Sequence, residues 1–498
     1  MPAIITNKFR INNADQFSES FSETANNKYY LGIGRPQPFG TLTRPDGRTD
    51  FEGTDTNPIT PGDTVVREFY TYDDLLAAKR VQSSDISFVI PRRNWTSGTV
   101  YDIYRHDYGE FITGSTTTRQ TSNSGATTLF DSTFYVLTTA RNVYKCLDNN
   151  GGATSTDEPT GVSTSVTTTA DGYRWKYMYT LSAAQQANFL SVDFMAVSPN
   201  SSPGSDQSNV ISAAVDGSID VIKIKSAGSG GTNGTHTNIP IRGDGTGGVC
   251  SVTVSGGAVT AVSVTNAGSG YTFATVSNAQ IVAAGATSLA GAELDVIIPP
   301  KGGHGANARE ELGGFFVMMN TSLEGTESAN SGDVSAVNDF RKIVLLRDPT
   351  KSASAVTSNT ARLTKAIRIA GSPTPGTFTV DEEINQASTG AVGKVVEWDA
   401  TNRILYYIQT RHNDAGVDAD GNQTAFSGAN VITGQGGGAP TGTPEVATTG
   451  TVNNVSFTSG YSEPEIDHDT GDVLYIENRT PIQRATDQTE NIKLVIEF

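Results

Sequence analysis

Cysteine is nearly absent from this 498-residue chain. Cys146 and Cys250 stand far apart and outside any CxxC spacing, which excludes a disulfide framework and makes both buried free thiols. Histidine is equally sparse. His106, His236, His304, His412 and His468 are scattered, and no two stand at metal-ligand spacing. Positive charge is short as well: 35 Lys and Arg face 52 Asp and Glu, a net charge of −17. Such a balance repels phosphate backbones and anionic membranes, so neither nucleic acid nor membrane is expected as a partner. No apolar run reaches the length of a transmembrane helix, and MPAIITNKFRINNADQF carries neither an apolar core nor a cleavage site of a signal peptide. A soluble protein made in a cytoplasm is expected, and sequons such as Asn94-Trp95-Thr96 need carry no glycan.

Catalytic signatures are missing too. There is no GxxxxGK[ST] loop, no HExxH helix and no GxSxG elbow between a strand and a helix. Gly243, Gly245 and Gly248 form a GxGxxG, but VCSVTVSGGAV behind it is a strand, and a dinucleotide site needs a helix there. A hairpin turn is the better reading. Asp418, Asp420 and Gly421 resemble a calcium loop whose twelfth position would be Ser427, which offers no bidentate carboxylate. Asp467, Asp469 and Asp472 read more economically as a turn than as an ion site. No catalytic residue, metal ligand or cofactor is therefore assigned.

What the chain has in quantity is glycine, 52 residues, with abundant Thr and Ser and only 17% charged residues. That composition favours many short strands joined by tight turns, and the length favours about three domains. Its organising stretch is Phe134–Leu190. Phe134–Leu137 and Val143–Leu147 alternate as strands, Asp148–Gly152 supplies the Asn, Asp and Gly that a tight turn needs, and Tyr173–Leu181 puts Tyr173, Trp175, Tyr177 and Tyr179 on one face by two-residue periodicity. Ser182 with Gln185 fits a capping box for a helix whose Ala184, Ala187 and Phe189 can cover that sheet.

Along the rest of the chain, Asn13 with Gln16 predicts a first helix carrying Phe17 and Phe21, and Tyr29–Ile33 a strand. Gly40–Gly62 reads as a loop. Thr71 or Asp73 predicts a second helix through Leu75, Leu76 and Lys79 to Val81, and Ser87–Ile90 a strand stopped by Pro91. Asp220–Thr235 and Thr260–Thr275 echo each other, each a β-branched strand followed by Ala-Gly-Ser-Gly. Gly313–Met319 and Lys342–Arg347 are further strands, Arg362–Gly434 is an all-β segment, and the last residues predict two strands bracketing an Arg-Thr-Pro loop. Between Ile90 and Tyr108, arginines interleave with aromatic rings, the composition of a protein-interface hot spot and equally that of an edge with stacked arginines. Arg92, Arg93, Trp95 and Tyr101 there, with Arg479, Pro481 and Arg484 near the C-terminus, are the interface candidates; bracing of their own domain is the competing role.

Several ordered blocks carry a resemblance: the opening MPAIITNKFRINNADQF with YYLGIGRPQPFG, then VIPRRNWTSGTVYDIY, NVYKCLDNNGGATS with TADGYRWKYMYTLS, and the ending LYIENRTPIQRATDQTENIKLVIEF. Together they resemble the homodimeric baseplate wedge subunit of contractile-tailed, T-even-type bacteriophages, over roughly Met1–Val197, the Gly313–Arg347 strands and the last forty or so residues. The resemblance implies a two-domain β-sandwich fold with a few helices. It also implies a structural role in the virion tail, assembly in the host bacterial cytoplasm, and partnership with itself and with other wedge subunits. Asp216–Pro300 and Arg362–Gly450 look like modules added to the compact family pattern.

The expected fold is thus mainly β, a multi-domain antiparallel β-sandwich with a few short helices and two inserted or added β modules. Residues 1–87 with 301–361 and 451–498 form a discontinuous first domain and 88–200 an aromatic-rich second one; 201–300 and 362–450 are the added modules. A carbohydrate-binding or depolymerising tail fibre or spike protein is the rival, because Gly-rich β segments with exposed aromatics also bind glycans.

Overall fold

A computed structural model describes residues 4–23, 27–43, 49–51, 53–112, 118–198, 202–326, 334–335, 337–410, 416–484 and 488–498. His412 lies outside them. The fold is mainly β, with many antiparallel sheets and a few short helices, as the composition leads one to expect. Residues 1–16, 87–318 and 495–498 gather into one compact unit, and residues 17–86 with 319–494 into another.

The first unit is built on the aromatic stretch. Strands Thr167–Thr168, Arg174–Thr180, Asn142–Asp148 and Tyr135–Leu137 form one sheet in that order. Both of its faces are buried, which is why six consecutive residues from Asn142 to Leu147 are inaccessible. Tyr135, Leu137, Val143, Leu147 and Tyr179 belong to one apolar core, and Val136, Tyr144, Cys146, Tyr173, Trp175 and Tyr177 to another. The expected row of four rings is therefore three. Pairing shifts from Tyr177 opposite Tyr144 to Tyr179 opposite Val143, so Met178 is an extra residue and the bulge turns Tyr179 to the other face. There its hydroxyl donates to the Ala196 carbonyl at 2.8 Å.

The capping box is present: the Gln185 N–H reaches Ser182 Oγ at 3.2 Å, and the Ser182 N–H reaches Gln185 Oε1 at 2.9 Å. Of the three residues expected to cover the sheet from this Ala183–Phe189 helix, Phe189 is buried, whereas Ala184 and Ala187 are exposed.

In the Gly-rich segment of the same unit, Ile222–Ser229 pairs with Ala290–Val296, and Gly234–Pro240, Val249–Ser255 and Ala258–Asn266 form a three-stranded sheet. The sequence echo is conformational. Gly228 and Gly268 both take φ of 64°, Gly230 and Gly270 take 77° and 72°, and each Ala-Gly-Ser-Gly ends its strand through a left-handed backbone that only glycine adopts freely. A strand does follow the GxGxxG.

In the second unit, strands Thr360–Arg362, Leu75–Val81, Tyr29–Gly34, Phe340–Arg347 and Asp472–Ile482 make an antiparallel sheet in that order. Leu75–Val81 corrects the expected second helix. The helix lies earlier, at Val65–Thr71, capped by Thr64, and a 3-10 turn at Tyr72–Asp74 leads into the strand. Its backbone is paired on both sides, a tertiary gain that outweighs the helical preference of Leu, Ala and Lys. The first helix begins at Asn7, six residues before the expected cap. Phe21 stacks on Tyr29 with centroids 4.0 Å apart.

The all-β segment after Arg362 is a seven-stranded sheet, in the order Thr441–Gly442, Ile432–Gly434, Glu383–Gln386, Ala391–Asp399, Ile404–Ile408, Lys365–Arg368 and Tyr461–Ser462. Near the end of the chain the expected Arg-Thr-Pro loop is instead strand: Asp472–Ile482 runs straight through Arg479-Thr480-Pro481, and the turn comes after it. Proline is tolerated because this is the last strand in its sheet's order, where a missing N–H breaks no ladder on the open side.

Candidate functional site

The first candidate region leaves the Ile86–Pro91 strand at its proline and pairs with the edge of the aromatic sheet, where Asn94 bridges Leu137 in parallel. The Arg92 N–H donates to the Asp193 carbonyl at 2.7 Å, and its guanidinium reaches Asn94 Oδ1 at 2.9 Å and the Ser191 carbonyl at 2.7 Å. Arg93 lies over the Tyr135 ring, 4.5 Å from its centre, and donates to the carbonyls of Ser132 and, at 2.8 Å, Phe130. Trp95 is half-buried with Nε1 3.1 Å from Ser155 Oγ. Tyr101 is buried edge-on to Trp175, and its hydroxyl closes on the Thr96 backbone, accepting from its N–H at 2.5 Å. Burial pushes that phenol above its ordinary pKa. All four candidates thus make contacts within their own unit, and the two arginines and Trp95 also keep partial exposure.

Asp102 holds this segment in place. Only 1% exposed, it accepts the Ser124 N–H at 2.9 Å on Oδ1, and on Oδ2 the Ser124 hydroxyl at 2.6 Å, the Thr133 N–H at 2.7 Å and the Thr133 hydroxyl at 3.0 Å. Burial works to raise this carboxyl, but the donors outweigh it and hold it below the usual range. Asp171 acts likewise for the neighbouring loop. It accepts from the backbone of Thr156, Asp157 and Tyr173, and against the opposing effect of burial these bonds and the Thr169 hydroxyl bring it to about 2.

The second region is the C-terminal strand pair. Arg479 and Pro481 are half-buried on Asp472–Ile482, and Arg479 Nε is buried without a hydrogen-bond partner. Arg484 is 1% exposed in its side chain, with Nε 2.6 Å from Glu490 Oε1. An open groove of about 420 Å³ between this strand and Thr489–Glu497 is lined by Phe340, Ile343, Arg479, Ile482, Glu490 and Leu494.

Sequence reading missed Asp102, whose partners are 22 and 31 positions away. It also missed the Asp73–His468 pair at 3.0 Å, steadied by Gln423 at 3.1 Å beside a cavity of about 190 Å³. No local spacing encodes either. His236 and His106 make single backbone contacts, the first through Nε2 to the Thr232 carbonyl and the second through Nδ1 from the Ile298 N–H. Among the described residues no group of His, Cys, Asp and Glu could hold a metal ion, and no helix is long and apolar enough to cross a membrane. Asp418 accepts from the N–H groups of Asp420 and Asn422, as a turn does. What these regions offer chemically is fixed, partly exposed arginine and aromatic surface.

The sequence model of the family described as "Bacteriophage T4, Gp8" matches residues 3–149 and 441–498, which contain both candidate regions. No curated protein matches the chain. Over these two segments the chain is similar to the Gp8 family of bacteriophage T4, a structural family of the phage tail baseplate, and the match supports a baseplate structural role.

Proposed function

We propose that this protein is a homodimeric baseplate wedge subunit that joins neighbouring wedge subunits and moves as a rigid body when the baseplate rearranges and the tail contracts. The observation that carries the reading is the family match at both ends of the chain, over the segments that hold the interface candidates. A dimer interface presents one patch twice, and other surfaces remain for the other wedge subunits. Arg92, Arg93 and Trp95 are the contact residues of the first region, with Tyr101 shaping them from beneath. Arg479 and Pro481 play that part in the second region, with Arg484 buried behind. Side chains already held by hydrogen bonds lose little freedom on association, which favours them as anchors.

Rigid-body motion is supported by the way carboxylates such as Asp102 and Asp171 tie loops to the sheets. Repacking of interfaces then costs less than reopening the cores. The charge of −17 argues against nucleic acid or membrane as a partner, and assembly takes place in the host cytoplasm. Asp216–Pro300 is an added module whose ends lie close together: the Gly302 N–H, just beyond it, donates to Asp216 Oδ1 at 2.6 Å, a geometry that lets a cassette join a domain without disturbing it. Residues 362–450 are the second addition.

The test is sedimentation of the purified chain at several concentrations, repeated with the Trp95→Ala variant and with co-produced wedge subunits. A concentration-independent dimer is expected, and weaker co-assembly of the variant at temperatures where it remains folded. A stable monomer or trimer would overturn the dimeric reading.

A further inference from the structure

Lys145 sits in the middle of the Asn142–Asp148 strand and is completely buried. Its Nζ lies 5.0 Å from the centre of the Tyr104 ring and donates to Glu311 Oε2. Glu311 comes from the short helix Ala308–Leu312, 166 positions further along, and its side chain is 2% exposed. The other carboxylate oxygen, Oε1, accepts the N–H of Gly305 at 2.8 Å and of Asn307 at 3.0 Å, and the Gly305 N–H also lies 3.0 Å from Oε2. His304, buried and edge-on to Tyr104 at 4.9 Å, completes an aromatic wall that excludes water.

We propose that Lys145 and Glu311 condense into an intramolecular amide, a covalent cross-link between Lys145 Nζ and Glu311 Cδ. The starting charges are unfavourable in this place. Burial pushes the Lys145 ammonium toward the neutral amine in spite of Glu311, and burial with the nearby lysines keeps His304 uncharged. The amine is the nucleophilic form.

Atoms and charge balance within the pair. One proton crosses the Nζ···Oε2 hydrogen bond and converts ammonium and carboxylate into amine and carboxylic acid. The nitrogen lone pair attacks Cδ, and the carbonyl electrons move to Oε1, which the Asn307 N–H and the nearer branch of the shared Gly305 N–H already face, the arrangement of an oxyanion hole. A second proton passes from the nitrogen to Oε2, the C–Oε2 bond breaks, water leaves, and the carbonyl re-forms on Oε1. Ammonium plus carboxylate gives amide plus water, with no oxidant, nucleotide or other reactant.

Two physical effects favour the product. Groups fixed side by side react with effective concentrations of about 10⁵–10⁸ M, and a neutral amide escapes the desolvation cost that a buried ion pair bears. The link would close a covalent loop around the Gly-rich segment, a reinforcement suited to a part that transmits force.

The experiment is intact-mass spectrometry of the full chain under denaturing, reducing conditions, followed by tryptic mapping. The expected mass is one water below that of the sequence, with the peptides bearing Lys145 and Glu311 recovered as a single branched species uncleaved at Lys145. Lys145→Arg restores the full mass; should that variant fail to fold, the wild-type map decides alone. Separate, unmodified peptides for Lys145 and Glu311 would overturn the proposal, and so would a water lost elsewhere, as at an Asp-Gly succinimide.

Discussion

Asp102→Asn is the perturbation that most directly tests how the first contact region is held. The aspartate gives two acceptor oxygens to four donors and opposes no cation among its hydrogen-bond partners. An asparagine retains one acceptor. Its least costly orientation leaves the carbonyl toward the Ser124 hydroxyl and both Thr133 donors, and turns the amide NH2 against the Ser124 N–H. That backbone donor loses its bond, at about 1–3 kcal/mol, and three charge-assisted bonds become neutral ones at up to about 1 kcal/mol each.

A destabilisation of about 3–4 kcal/mol follows for the unit that contains it. It is best read by urea unfolding followed through tryptophan fluorescence in a Trp398→Phe background, because Trp95 and Trp175 belong to this unit and Trp398 to the other. Hydrogen exchange over residues 96–104 and 118–133 should rise with it. The pH dependence has a definite sign. The folded carboxyl lies below its unfolded value of 3.8, so its contribution is fully present above that value and is lost as pH falls through the folded one. Wild type and variant should therefore converge in stability toward strongly acidic pH. A difference below about 0.5 kcal/mol at neutral pH would refute the reasoning, since it would mean that the donors find other partners.

Two further outcomes follow from the same geometry. Gly268→Ala should cost about 2–4 kcal/mol and make the Gly-rich segment protease-sensitive, because φ is 64° and a Cβ would stand 2.5 Å from both the Gly248 nitrogen and the Thr246 oxygen. Gly256→Ala, at φ 63° with nothing within 4 Å, should cost about 1 kcal/mol, and equal effects of the two would contradict the contact argument. Arg484→Met leaves Glu490 buried and alone, a loss of about 3–5 kcal/mol, while adding Glu490→Leu should recover most of it in a double-mutant cycle; additive losses would refute the pairing.

Sequence alone determined what depends on composition and short-range periodicity. Glycine, threonine and two-residue alternation were enough for a mainly β chain, and the Ser182 capping box and the Ala-Gly-Ser-Gly echo were legible because their partners stand a few residues apart. The ordered blocks at both ends were sufficient for the resemblance to the Gp8 family, whose model matches those ends. Tertiary structure decided the rest. Leu75–Val81 is a strand because two neighbours pair with it, and Tyr179 changes face because Met178 has no partner opposite. Arg479-Thr480-Pro481 is strand because an open edge tolerates proline. The partners of Asp102, Lys145 and Arg484 lie across the fold, and burial decides whether an arginine such as Arg484 is a contact or a brace. Local energies of a few tenths of a kcal/mol per residue write the first kind of information into the chain. The second kind arises only when distant groups are brought out of water together, where the cost of an unmet donor or charge is several times larger.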